Sequence, residues 1–205
     1  MEKEKLIRIF DRQAATYAKN NEPVSLKRWR KELIGHAKGE VLELAVGAGA
    51  NFPYYPPGVK VTAIDFSEEM LNTARQRAAA SNTEVDWICA DIENFELEPG
   101  SFDTVVSTLS FCSYENPLKM MQNIQKWCRP DGSILLLEHG ISPSFFIAGA
   151  QRILNPLLYK VIGCHQTRDI PKLVKDSGLI VRRSESMWLN MFHFIWAHPG
   201  TEPPT

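Results

Sequence analysis

Two glycines separated by one residue, Gly47 and Gly49, close a short apolar run that begins at Val41. Backbone without a Cβ can approach a ligand closely, so a Gly-x-Gly turn after a strand is a place where a bound molecule can meet main chain. Two carboxylates follow at the ends of later strand-length runs, Asp65 after Val61–Ile64 and Asp91 after Val85–Ala90. At the first position a carboxylate can accept both hydroxyls of a ribose; at the second it can hold an exocyclic amino group. Glu43 lies inside the first run, an odd place for a charge unless it meets a positive ligand group or a helix N-terminus. Either aspartate alone reads as a helix cap or a solvated loop acid. Two of them at successive strand ends, after a glycine turn, point to a nucleoside. The dinucleotide fingerprint GxGxxG fails, because Phe52 holds the third glycine position and Pro53, Pro56 and Pro57 crowd the stretch where a helix would start. A nicotinamide or flavin dinucleotide is therefore disfavoured.

The elements that must position these groups follow from periodicity. Residues 2–18 read as an amphipathic helix with Leu6, Ile9, Phe10, Ala14 and Tyr17 on one face, broken by Pro23. A second helix spans Ser25 to His36. From residue 40, strand-length runs alternate with helical patterns: strands at Val41–Val46, Val61–Ile64, Val85–Ala90, Phe102–Ser107 and Ser133–Leu137, helices from Ser67 and from Asn116. Continuous apolar runs imply strands covered on both faces, hence a parallel sheet with crossover helices: an α/β, Rossmann-like, doubly wound domain. An apolar helical stretch from Ser142 to Val161, a short helix from Ile170, and two closing strands, Leu179–Met187 and Phe192–His198, complete the chain. The 205 residues form one domain: an N-terminal helical lid (1–38), a ligand-binding core (40–140), and acceptor-side helices with closing strands (141–205).

Composition narrows the partners. Hydrophobic residues make up 44% and charged residues 23%, an ordinary globular balance. A chain of this length buries roughly 70% of its unfolded surface and needs no covalent staples. Lys+Arg total 23 against 24 Asp+Glu, so a nucleic-acid binder working by overall field is disfavoured. Cys89, Cys112, Cys128 and Cys164 show no CxxC and no zinc-site spacing. Free thiols suit a reducing compartment, and neither a signal-peptide core nor an apolar run long enough to span a bilayer is present, so the expected location is the cytoplasm.

Order and spacing together carry a family resemblance. Glu43-Leu-Ala-Val-Gly47-Ala-Gly49, Val61-Thr-Ala-Ile-Asp65, Ala90-Asp91-Ile92, Phe102-Asp103-Thr-Val-Val and Arg129-Pro-Asp-Gly132 resemble the successive motifs of class I S-adenosylmethionine-dependent methyltransferases over residues 40–140. The resemblance implies a seven-stranded sheet with an antiparallel last hairpin, and S-adenosylmethionine as cofactor. It places Glu43, Ala45, Gly47, Gly49, Asn51, Asp65, Phe66, Met70, Asp91, Ile92, Thr108 and Leu109 around that cofactor. Ala45 departs from the family's usual glycine, and a side chain this small is expected to leave binding intact.

Within that superfamily, the segments Ala50–Gly58, Ser107–Ser113, Glu138-His139 and Gly163–Arg168 resemble the small-molecule thiol S-methyltransferases. Phe10–Tyr17 is similar to the opening of quinone-biosynthesis methyltransferases, and the overall pattern to bacterial phospholipid N-methyltransferases. The acceptor implied is small and apolar, a thiol favoured over a quinone or a lipid amine, with a non-catalytic S-adenosylmethionine-binding module as the rival class. The eukaryotic thiol enzymes start with a hydrophobic anchor and this chain does not, which leaves only peripheral membrane contact open. His139, ending the fifth strand, is the candidate to take a proton or steer a thiolate, and Tyr17 the candidate to close over the cofactor. Cys164-His165 reads as loop packing, with no metal expected, and Arg168 as a surface ion pair. Phe145, Phe146, Ile147, Ile153, Leu154, Leu157 and Leu158 are divided between an acceptor pocket and the core.

Overall fold

A computed structural model describes residues 1–19 and 21–200; the last five positions assigned to the closing segment lie outside the described residues. Seven strands form one sheet in the order β3-β2-β1-β4-β5-β7-β6. They are β1 Glu40–Leu44, β2 Lys60–Asp65, β3 Glu84–Cys89, β4 Phe102–Thr108, β5 Cys128–His139, β6 Ile180–Met187 and β7 Phe192–His198. β1 to β5 run parallel, and β7 enters antiparallel between β5 and β6, as the resemblance implies. Six helices flank the sheet: α1 Lys3–Ala18, α2 Val24–Ile34, α3 Glu68–Ser81, α4 Pro117–Trp127, α5 Phe145–Ile162 and α6 Ile170–Ser177.

The helix starts are written locally. Ser67, Asn116 and Asp169 each accept a backbone N–H of the first turn of α3, α4 and α6, satisfying donors that the helix itself leaves orphaned. Strand order then puts the sheet's reversal between β1 and β4. Ligands of open α/β sheets bind outside the carboxyl ends of the strands at such a switch point.

Several expectations need correction. β3 is not covered on both faces: it is the sheet edge, and Glu84, Asp86 and Cys89 are exposed. β5 starts at Cys128 rather than Ser133, because a register shift between Phe102 and Thr104 lets the Arg129–Gly132 turn join the strand. α2 belongs to the core, with Trp29, Leu33 and Ile34 buried against the sheet, so a lid reading is confined to α1. Most of the apolar side chains of α5 serve neither function assigned to them, Ile147 and Leu158 being half-buried. Phe145, Phe146, Ile153, Leu154 and Leu157 are exposed, and only Ala148 of that helix is buried. Its polar side does the structural work instead: Gln151 Nε2 donates to the carbonyls of Gly140 and Gln166, and Asn155 Oδ1 accepts from Gln166 N.

Candidate functional site

A cavity of about 430 Å³ opens at the carboxyl ends of β1, β2 and β4, within the roughly 300–1,000 Å³ usual for small-molecule sites. Its floor is the turn after β1. Ala45 has φ +47° and ends the strand, and Gly47 at φ +54° turns its N–H onto Asp65 Oδ2 at 2.8 Å. Ala45 thus occupies a left-handed position that favours glycine, so the departure from the family pattern carries backbone strain rather than a steric block. Gly49 is required for packing: a Cβ there would sit 2.6 Å from the Phe52 ring and 3.0 Å from Ala74 Cα.

The two acids beside this turn are both nearly inaccessible. Glu43 is 1% exposed; its oxygens accept from Asn51 Nδ2 at 2.8 Å and Tyr55 Oη at 2.7 Å. Burial pushes its carboxyl up to about 7, the hydrogen bonds and the more distant Arg30 offsetting only part of the cost. Asp65 also accepts from Ser67 N at 2.9 Å, and burial raises it to about 6 against three backbone N–H bonds that favour its charge. Two carboxylates held this way fit a ligand that brings positive charge and hydroxyl donors.

Arg30, which sequence reasoning missed, organises the opposite wall. It forks onto Glu22 and sends Nη1 to Asn51 Oδ1 at 2.9 Å and Thr108 Oγ1 at 2.8 Å. Asn51 Nδ2 also donates to Thr108, so the α2–β1–β4 corner is one connected polar network. No local pattern marks an arginine on a helix face flanked by Trp29 and Leu33 as buried; only the tertiary arrangement does. Tyr17, Phe66, Met70 and Leu109 also line this cavity.

Asp91 and Ile92 are not on this cavity. They line a neighbouring space of about 10 Å³, together with Lys3, Asp65, Phe66 and Ser113, and Asp91 also borders a separate space of about 300 Å³ with Lys3, Glu93 and Asn94. Lys3 Nζ stands 2.9 Å from Asp91 Oδ1 and over the Phe66 ring, so the first turn of α1 fills the far end of the site. Asp91 also caps the turn that follows it, accepting from Glu93 N.

His139 is likewise off the cavity wall. Its Nε2 lies 3.0 Å from Cys164 Sγ, and Gln166 Nε2 donates to the same sulfur at 3.3 Å. A hydrogen bond from the Cys112 thiol, with His139 opposing the effect of burial, lowers the Cys164 pKa to about 5. Cys164 thus packs against His139 and Gln166, while His165 stacks on Tyr159 at 3.8 Å. Arg168 is no surface ion pair; it donates to the Tyr114 carbonyl, and its buried Nε has no partner. Glu138, fully buried, accepts from Ser107 Oγ, Ser110 N and Phe111 N, which fixes the turn carrying Leu109 and Cys112.

With this geometry in hand, residues 42–136 match the family model described as "Methyltransferase domain". Thiol S-methyltransferase TMT1B of Rattus norvegicus is 39% identical over 147 residues, covering 67% of this chain and 58% of that protein. A phosphatidylethanolamine N-methyltransferase of Cereibacter sphaeroides is 28% identical over 145 residues, covering 70% of this chain and 71% of that one. A solved SAM-dependent methyltransferase from Aquifex aeolicus shares the fold, with TM-score 0.65 at 17% identity over 90% of this chain and 97% of that chain. The chain thus spans less than two thirds of the length of the thiol methyltransferase it matches. Among the described residues, no helix is long and apolar enough to cross a membrane.

Proposed function

This chain belongs to the class I S-adenosylmethionine-dependent methyltransferases, and from that premise we propose that it methylates the sulfur of a small, apolar thiol. Bound in the cavity, S-adenosylmethionine supplies a methyl group already activated on a sulfonium and leaves as S-adenosylhomocysteine. The chain's task is then to hold donor and acceptor in line and to exclude water, and such positioning can supply roughly 7–11 kcal/mol of barrier reduction. Asp65 is assigned to the ribose hydroxyls, and Glu43 to the countercharge of the methionine part, kept in place by Asn51 and Tyr55.

One observation carries the thiol over its rivals. Among the described residues that line the cavity there is neither histidine nor lysine, and its acids are held by neighbours, Glu43 and Asp65 by the turn after β1 and Glu22 by Arg30. A protonated amine or a phenol would need a base within reach. A thiol, with a pKa of about 8.5, reaches its thiolate near neutrality with little help. Phe10, Leu26, Met70 and Leu109 supply an apolar wall for the rest of the acceptor. The free cysteines fit a reducing, cytoplasmic setting. The test is incubation with methyl-labelled cofactor and separate panels of small thiols, quinols and phospholipid amines. Labelled thioether is expected; label in quinol or lipid amine with none in any thiol would overturn the reading.

The raised Glu43 adds a pH signature. A cationic ligand beside a carboxylate that titrates near 7 lowers its pKa, so binding expels a proton wherever that group is partly protonated in the free protein. Cofactor affinity should therefore weaken as the pH falls through about 7, and further through about 6 as Asp65 takes up its proton. Calorimetry at about pH 6.5 in two buffers of different ionisation heat should give different apparent enthalpies, the difference vanishing near pH 9. Equal enthalpies at the lower pH would remove Glu43 from the role of countercharge.

A further inference from the structure

Three side chains from three separate parts of the fold meet beside the turn that follows β4. Cys112 comes from the turn after β4, His139 from the end of β5, and Cys164 from the loop after α5. Their Sγ, nitrogen and Sγ atoms all lie within 4.8 Å of one another. A tetrahedral zinc ion with bonds of about 2.3 Å to sulfur and 2.0–2.1 Å to nitrogen separates its ligands by about 3.5–3.8 Å, so changes in separation of about 1 Å would close this set around a metal. The donor set is soft, two sulfurs and one imidazole with no carboxylate, which suits zinc and excludes calcium or magnesium. Two thiolates, a neutral imidazole and a divalent cation sum to zero charge, an arrangement that a largely buried site can hold.

The surroundings hold these three groups in place. His165 N donates to the Cys112 carbonyl at 2.9 Å, tying the loop of Cys164 to the turn of Cys112. Gln151 and Asn155 of α5 clamp that loop to the end of β5, and Gln166 donates to the Cys164 sulfur, as outer partners of metal thiolates do. Glu138 fixes the Cys112 turn from beneath. A fold that invests four side chains in orienting two thiols and an imidazole has a use for their convergence beyond filling space.

We propose that Cys112, His139 and Cys164 form a tetrahedral transition-metal site, best matched to zinc, with its fourth position open. Three protein ligands and one vacant position is the pattern of catalytic rather than structural zinc. Cys112 lies next to Ser113 and two residues from Ser110, both on the cavity wall. Resting on the thiol reading above, the open position would hold the acceptor sulfur as a thiolate, which zinc stabilises by displacing the thiol proton to solvent.

Cobalt reports the geometry directly, independently of any acceptor. Reduced, chelator-treated full-length protein titrated with Co²⁺ should bind one equivalent and show the intense ligand-field and thiolate charge-transfer absorption of a tetrahedral ion, bleached by Zn²⁺. Cys164→Ser should abolish this spectrum, and Gln166→Leu should weaken cobalt affinity about tenfold or more. S-adenosylhomocysteine binding, measured on the same variants, should persist and so report an intact fold. Only the faint absorption of a hydrated octahedral ion, or a tetrahedral spectrum that survives in Cys164→Ser, would overturn the site. A cobalt signature with no thiol methylated by the zinc-loaded protein would leave the site standing and sink the acceptor reading. Full thiol turnover in chelated protein that shows no cobalt signature would do the reverse.

Discussion

Replacing Asp65 with alanine should weaken S-adenosylmethionine binding tenfold or more. The carboxylate closes β2 at the cavity, and its oxygens already hold Gly47 N and Ser67 N. A carboxylate offers about four acceptor sites, so beside the Gly47, Ser67 and Phe66 N–H groups about one remains for a ribose hydroxyl, a charge-assisted hydrogen bond worth about 1.5–3 kcal/mol. Alanine also releases the turn that carries Gly47, so Asp65→Asn is the cleaner variant. Its effect on stability follows from linkage. Folding raises the Asp65 pKa from about 4 to about 6, so its contribution is fully present below the unfolded value and lost as the pH rises through the folded one. At pH 8 the wild-type protein thus carries a charge that burial penalises, by an amount on the order of 3 kcal/mol. Asparagine removes that cost but leaves one backbone donor without an acceptor, about 1–3 kcal/mol the other way. The two nearly cancel. Asp65→Asn should therefore melt close to the wild type at pH 8 while binding cofactor at least tenfold more weakly by calorimetry. Unchanged affinity would take Asp65 out of the site.

What could be foreseen in the sequence and what could not divide along a physical line. The glycine turn, Asp65 and the succession of strands along the chain were legible because each depends on chain neighbours: a residue at positive φ, a cap two residues on, an apolar run of strand length. The antiparallel β7 came only through family resemblance, since Phe192–His198 has no local mark of its direction. Arg30 was invisible because its partners Glu22, Asn51 and Thr108 come from three separate elements. Cys112, His139 and Cys164 failed for the same reason: metal-site spacing rules look for ligand pairs a few residues apart, and here each donor comes from a separate part of the fold. On α5, apolarity led to an expectation of burial. Hydrophobicity says that a residue is able to be buried, and the exposed Phe145, Phe146 and Ile153 show that nothing among the described residues covers them.

Lys3 and Asp91 set up the last prediction. Between Asp91 and Asp65 the space is about 10 Å³, scarcely enough for one water molecule, so no purine enters there while Lys3 lies across; the roughly 300 Å³ space on the other side of Asp91 is lined by Glu93, Asn116 and Lys119 and does not reach Asp65. If Asp91 holds the adenine amino group, the first turn of α1 has to move when cofactor binds. The attachments of α1 permit this. Leu6 and Ile9 bury an inner face worth about 1.5–3 kcal/mol each, Ala14 and Phe10 pack on Ala48, Met70 and Phe66, and the remaining attachments are polar: Lys3 to Asp91 and Glu93, Ser67 to Asp11, Arg77 to the Tyr17 and Ala18 carbonyls. Tyr17 and Phe10 at the same time line the cavity, so one helix closes over the ligand at one end and plugs its base site at the other. Lys3→Ala should tighten cofactor binding a few-fold by freeing Asp91. Deleting residues 1–18 should leave a folded core with lower melting temperature and little change in cofactor affinity, and turnover should fall by about a hundredfold as water enters the site. A permanently docked structural helix makes the opposite claim, and amide exchange separates the two. Residues 5–17 should exchange faster without cofactor and be protected when it is bound. Equal, strong protection in both states would mean that α1 is part of the scaffold and that the base lies elsewhere.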